Sequence, residues 1–286
     1  MVYSEITMGL GNQLFQYAAG RALALRLGTS FRLNACFYRK HSSYRALALN
    51  RFRIQAEFAS RAEQAVLNRW DRKPFNSLTT VWQRLVPTLG LTVVRDPGMG
   101  FDERILALEG NIYLRGYWES WRYFPEVGTR IREELTLHDE PDAENRRLIE
   151  EMQENDSVGV HVRRGDSAIL ADRGGLPLEY YVNAAEMIQA RVPRPHFYIF
   201  SDDPEWTRAN IKLRFPTTYV SHNTGTQDHE DLRLMTECKH FITGNSTFSW
   251  WGAWLGDRPG RLIFTPKRWF RTKPIPDLVP DSWIRV

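Results

Sequence analysis

The amino-acid sequence predicts an α/β protein of two Rossmann-like domains facing each other across a cleft. Three observations predict it. From residue 156 onward, short β-branched or aromatic runs alternate with helical patterns, the mark of a parallel α/β unit. The N-terminus opens in the same way, with a strand, a glycine turn and a helix between Tyr3 and Leu27. The 286 residues are enough for two medium domains, at roughly 100–200 residues each.

In the second half, Ser157–Val162 reads as a strand, Leu178–Arg191 as a helix, His196–Ser201 as a strand, and Pro204–Leu213 as a helix started by Asp203. Thr217–Ser221 follows as a strand, then a polar loop, a helix over Asp231–Cys238, a strand Phe241–Thr243, a helix over Phe248–Leu255 and a strand Arg261–Thr265. In the first half the pattern is clear for the strand Tyr3–Thr7, the helix Gln13–Leu27 and the strand Phe31–Asn34. Residues 40–110 then hold helical patterns around 61–70 and 78–86 but few clean strands, and Glu133–Gln153 is acidic, helical and linker-like. The boundary is therefore predicted near 153, with domains at 1–153 and 154–286. The proline-rich tail from Pro266 is expected to fold back across the body.

Composition excludes several classes. With 42% hydrophobic and 25% charged residues the chain is neither disordered, collagen-like nor a coiled coil. Its two cysteines, Cys36 and Cys238, lack metal-ligand spacing and read as packed thiols. No secretory signal pattern opens the chain, and no run approaches the roughly 18 apolar residues of a membrane span. A cytoplasmic protein with at most peripheral membrane association is expected. The 38 basic residues comprise 32 Arg and 6 Lys, a skew toward the fork that grips phosphate and carboxylate. Residues 1–95 carry 14 basic against 4 acidic groups, a net +10. These charges are scattered singly and no nucleic-acid recognition module is visible, so nucleic acid is not expected as a partner. Aromatic residues beside Gly or Arg, as in Gly116-Tyr117-Trp118, could stack on sugars.

In open α/β sheets ligands sit beyond the carboxyl ends of the strands, and four such ends stand out. Gly9-Leu10-Gly11-Asn12-Gln13 joins a strand to a helix. It reads either as a tight turn or as a backbone that a ligand approaches. Leu14 and the lack of any Asp or Glu between Glu5 and Glu57 argue against a dinucleotide fingerprint. At the second end, strand alternation puts His161 and Arg163 on one side of His161-Val162-Arg163-Arg164-Gly165-Asp166, where an imidazole meets a base or ribose and a guanidinium clamps a diphosphate. An exposed basic turn paired with Asp166 is the alternative. The third end offers Asp202, with Asp203 as a helix cap. The fourth, Gly244-Asn245-Ser246-Thr247-Phe248 before a helix, is either a plain cap or a phosphate cradle. Together these ends suggest a nucleotide-diphosphate ligand. No Asp-x-Asp pair lies where a metal-bridging enzyme would need it, and Asp228-His229-Glu230-Asp231 reads as the acidic start of a helix rather than a metal site.

Three blocks, Gly9-Leu10-Gly11-Asn12-Gln13-Leu14-Phe15-Gln16-Tyr17, His161-Val162-Arg163-Arg164-Gly165-Asp166 and Asn245-Ser246-Thr247-Phe248-Ser249-Trp250-Trp251-Gly252, resemble the bacterial, anchor-free branch of the alpha-1,2-fucosyltransferase family. The resemblance implies an inverting, metal-independent GT-B enzyme that needs no cofactor and moves L-fucose from GDP-fucose to a 2-hydroxyl, usually of a terminal galactose in an oligosaccharide. By that likeness Arg163 neutralises the departing diphosphate, His161 and Asp231 hold the guanosine, Ser246 and Thr247 hold the phosphates, and Asn12 points toward the glycosidic oxygen and the acceptor. Gly11, Gln13, Asp166, Asp202, Asn245 and Phe248 are expected as further substrate-binding residues. Two positions depart from the family pattern: Met8 stands where another glycine is usual, and Ser167 where an aromatic is common. Neither Asp166 nor Asp172 is marked as the general base, and Asp166 is expected to lock Arg163 or Arg164 in place. The competing readings are transfer to another position or acceptor, and a non-catalytic GDP-sugar or glycan binding module.

Overall fold

The computed structural model describes residues 1–40, 46–68, 90–98, 100–165, 174–270 and 277–286. They form two compact units, one of Met1–Asn50 with Ile54–Glu134, the other of Arg51–Arg53 with Leu135–Val286.

The first unit is built on a five-stranded sheet in the order β3-β2-β1-β5-β4, from β1 (Val2–Glu5), β2 (Phe31–Asn34), β3 (Glu57–Phe58), β4 (Leu91–Arg95) and β5 (Asn111–Arg115). Every pairing is parallel. Helix α1 (Leu10–Arg26) covers it and is buried on most of its circumference, from Leu10 to Ala24, as a helix pressed on a sheet on one side and loops on the other must be. Helix α2 (Cys36–Lys40) follows β2. Helix α3 (Arg61–Leu67) starts with a reciprocal cap between Ser60 and Glu63, and α4 (Gly128–Glu134) ends this unit. The predicted helix around 61–70 is thus present up to Leu67, and the one around 78–86 lies outside the described residues. Strands β4 and β5 were not legible: Thr92-Val93-Val94 is short, and β5 is paired from a distance in sequence by β1 and β4.

The second unit carries a six-stranded, fully parallel sheet in the order β11-β10-β9-β6-β7-β8. Its strands are β6 (Asp156–Val162), β7 (Pro195–Ser201), β8 (Thr217–Val220), β9 (His240–Ile242), β10 (Ile263–Thr265) and β11 (Ile284–Arg285). Helices α5 (Ala143–Glu154), α6 (Leu178–Gln189), α7 (Pro204–Asn210), α8 (Asp228–Glu237) and α9 (Thr247–Leu255) connect and cover them. Burial on both faces explains the near-continuous apolar strands, and Val158, Val160, Phe197, Ile199, Ile242 and Phe264 form the core with Tyr180, Tyr181 and Ile188 of α6. The segment Glu133–Gln153, read as helical and linker-like, is helical over α5, which packs into the second unit by burying Leu148 and Met152. The division between units accordingly falls after Glu134 rather than near 153. The tail returns to the second sheet as β11, with Trp283 against Trp250 at 5.6 Å and the Trp250 indole donating to Leu278 O at 2.7 Å. Cys36 and Cys238 are buried free thiols. Among the described residues no helix is long and apolar enough to cross a membrane.

Candidate functional site

In a parallel sheet all carboxyl ends lie on one edge, so the segments after β6, β7, β8 and β9 share the same edge of the second unit. At its centre Asp202, just past β7, organises the segment after β6. Its Oδ1 accepts from Arg164 N–H at 2.8 Å, its Oδ2 from Gly165 N–H at 2.9 Å, and Oδ2 also pairs with the Arg163 guanidinium at 2.8 Å. Asp202 was expected to touch the substrate; with both oxygens engaged in the protein it is a positioning residue for Arg163. Asp166, expected to lock Arg163 or Arg164 in place, lies with Asp172 and Ser167 outside the described residues. The neighbouring Arg164 guanidinium lies 3.7 Å over the Trp206 ring, a stacked cation that cannot swing freely. Arg163 keeps 21% of its side chain exposed, so its charge is oriented yet reachable.

His161, on the last turn of β6, is buried against Phe248 at 5.5 Å between ring centroids. Loss of water pushes its pKa down to about 4, reinforced by Arg163 and opposed by Asp202, so it is neutral near pH 7. Its Nδ1 has no hydrogen-bond partner among the described residues. Gly244, after β9, runs so close that a Cβ there would lie 2.7 Å from His161 O, which is why no side chain fits.

Asn245 is buried and its amide donates to Gly174 O at 3.0 Å and Trp269 O at 3.2 Å. Through its amide nitrogen it fastens two loops. Ser246 caps α9, its Oγ accepting Ser249 N–H at 3.2 Å, while Ser249 Oγ accepts Gly244 N–H at 2.8 Å. The first intrahelical bond runs from Trp250 to Ser246, so the N-terminal amides and partial positive charge of α9 are directed beyond the strand end, next to the half-buried Thr247 and Phe248.

Asp231 sits in the acidic first turn of α8 with Asp228 and Glu230, as the sequence predicted for that run. Asn223 donates to its Oδ1 at 2.9 Å and is itself held by Asn145 at 3.0 Å, which also bonds His222 at 2.9 Å. Loss of water, then repulsion from Asp228 and Glu230, pushes the Asp231 pKa up to about 7 against the pull of Asn223. The Asn223 and Asn145 supports, and Trp206, were not singled out by sequence; a loop asparagine, a helix asparagine and a lone tryptophan carry no distinctive spacing.

In the first unit the turn after β1 is shaped by buried amides. Gln13 is fully buried; its Nε2 donates to Met8 O at 3.0 Å and Ala46 O at 2.9 Å, and its Oε1 accepts Ala48 N–H at 3.0 Å and Leu49 N–H at 3.3 Å. Gly11 is buried within α1. Every polar atom of the Gln13 side chain is thus used by the chain itself rather than turned to a ligand. Gln16, also fully buried, exchanges bonds with Thr7 and donates to Gly116 O at 3.0 Å. Asn12, in the first turn of α1, is half-buried. Met8 adopts a left-handed φ of 67°.

The model of glycosyl transferase family 11 matches residues 97–271, more than half of the chain. The chain belongs to glycosyl transferase family 11. Along its whole length it is similar to an alpha-1,2-colitosyltransferase of Escherichia coli, 28% identical over 100% of this chain and 99% of the relative. A galactoside 2-alpha-L-fucosyltransferase of Mus musculus is 31% identical over 65% of this chain and 54% of its own. The solved structure of an Arabidopsis thaliana FUT1 variant in complex with GDP superposes with a TM-score of 0.56 at 13% identity, over 99% of this chain and 75% of that one. With its two parallel-sheet α/β units the family member has the GT-B fold.

Proposed function

We propose that this chain is an inverting transferase that moves L-fucose from GDP-β-L-fucose to the 2-hydroxyl of a terminal galactose, without a metal ion. The observation that carries the reading is the Arg163 guanidinium, fixed by Asp202 at 2.8 Å on the strand edge that also bears the N-terminus of α9. A preset cation and a helix dipole stabilise charge that grows on a leaving diphosphate, the largest single electrostatic contribution in such sites. Arg163 serves the β-phosphate, α9 with the hydroxyls of Ser246 and Thr247 the phosphates, and His161 with Asp231 the guanosine. The sugar C1–O bond breaks with its electron pair passing to the diphosphate, as the acceptor oxygen bonds C1 from the opposite face and sheds its proton. Asn12 serves the acceptor hydroxyl and the glycosidic oxygen. Similarity to enzymes whose names specify 2-linked fucosyl or colitosyl transfer supports the linkage.

A second donor is favoured by the end-to-end likeness to a colitosyltransferase: colitose is L-fucose without its 3-hydroxyl, and the same diphosphate machinery would serve it. Substitution separates catalysis from mere binding. Arg163→Ala is expected to lower turnover by about 10²-fold or more, while urea unfolding shifts by no more than ~1 kcal/mol because the pair is partly exposed. Asn12→Ala should lose turnover with GDP affinity intact. Turnover unchanged in Asn12→Ala, or an Arg163→Ala protein that fails only because it unfolds, would contradict these roles.

A further inference from the structure

At the carboxyl ends of β4 and β5 the chain passes through two left-handed residues within three positions, Gly116 at φ 135° and Trp118 at φ 57°. For a bulky side chain this conformation is unfavourable and survives only where the surroundings enforce it. Asp96 enforces it. Its Oδ2 accepts the N–H groups of Tyr117 at 3.0 Å and Trp118 at 2.9 Å, its Oδ1 accepts Gly98 N–H at 3.1 Å, and its own N–H donates to Arg115 O at 2.7 Å. A Cβ on Gly116 would come within 2.1 Å of Asp96 Cβ, so only glycine allows the approach. Trp118 is fully buried, edge-on to Tyr123 at 5.7 Å, with its indole N–H lacking a partner among the described residues. Between these anchors Tyr117 is held 41% exposed.

The position of this turn indicates what the ring meets. β5 pairs with β1, and one Gln16 nitrogen donates both to Thr7 Oγ1 at 2.9 Å and to Gly116 O at 3.0 Å. Asn12 precedes Gln16 by four residues, on the same face of α1 and one turn nearer the helix start. Tyr117 and Asn12 therefore share one edge of the first sheet. The geometry points to Tyr117 as the stacking platform for the acceptor sugar, with Asp96 as its positioning residue. A tyrosine ring offers a rigid flat face to the C–H face of a pyranose, and the sugar hydroxyls at its rim are left for groups such as Asn12. The inference rests on the reading that this edge serves the acceptor.

The test is steady-state transfer from GDP-fucose to lactose and to N-acetyllactosamine, with GDP affinity measured separately by titration. Tyr117→Ala is expected to raise the acceptor KM about tenfold or more, with the GDP-fucose KM and GDP affinity within about twofold. Tyr117→Phe and Tyr117→Trp, which keep a flat face, should stay within about threefold of the parent acceptor KM. Asp96→Asn should move the acceptor KM while sparing GDP affinity. An unchanged acceptor KM in Tyr117→Ala, or equal losses for donor and acceptor, would overturn the platform while leaving the proposed transfer standing. A parent protein that binds GDP but uses neither galactoside would overturn the acceptor assignment and this inference together.

Discussion

Asp231 and His161 both lie at the carboxyl edge of the second sheet, and burial disfavours the charged form of each, raising the one pKa and lowering the other. For His161, with its pKa near 4, neutrality is complete well below pH 7 and no titration of it reaches the physiological range. For Asp231, pushed up to about 7, protonation competes with ionisation around neutral pH. Guanine presents N–H donors to a carboxylate, so binding through Asp231 favours the ionised form. Binding of GDP-fucose, whose diphosphate does not titrate here, should therefore strengthen as pH rises toward 7 and level off above it. The expected slope approaches about tenfold per pH unit on the acid side, since one proton is released on binding. Calorimetric titration from pH 5.5 to 8.5 reads this directly. A flat profile in the parent, or an undiminished slope in Asp231→Asn, would contradict the role. Met8 is instructive at the same scale. Its left-handed φ is held by Gln13 and by Tyr38 OH at 2.7 Å, both donating to Met8 O. The turn thus keeps a conformation that glycine adopts easily, even though a methionine occupies it.

Helix α1 shows that the glutamines of the motif around Gly9 serve the chain itself. Its glutamines look like exposed amides in the sequence, yet Gln13 and Gln16 are fully buried and bind backbone groups of other segments. A clue was available: both fall within a run otherwise made of Leu, Phe, Tyr, Ala and Gly, and a polar residue on such a face is buried and must be satisfied from within. Removing the Gln13 amide strands Ala46 O and the N–H groups of Ala48 and Leu49, and leaves Met8 O to Tyr38 OH alone. Gln13→Ala should accordingly destabilise the protein by about 2–4 kcal/mol in urea unfolding. A loss under ~1 kcal/mol would show that those groups find other partners. Asn245 and Asp202 likewise stand on the strand ends where the sequence places them, while their partners belong to distant segments.

Across the whole molecule, the second sheet was legible because its strands are buried on both faces and separated by helices, so composition and periodicity coincide. The first sheet was legible only at β1, α1 and β2. Its β3 spans two residues, and β5 is inserted between β1 and β4 by pairings that no local pattern reveals. The unit division after Glu134 was equally hidden, since α5 reads as a charged linker until Leu148 and Met152 are seen to be buried. Of the candidate site, the motifs mark the strand ends; the supports Asn223, Asn145, Trp206 and Asp96 carry no such mark, because their contacts are with segments that spacing does not encode. The central claim is fucosyl transfer driven by Arg163 and the α9 terminus. Its most direct test is GDP release from GDP-fucose in EDTA, with and without lactose and with GDP-mannose as control. The account predicts release from GDP-fucose alone, increased by lactose and undiminished by EDTA. No release from GDP-fucose under either condition, or release that EDTA abolishes, would contradict it.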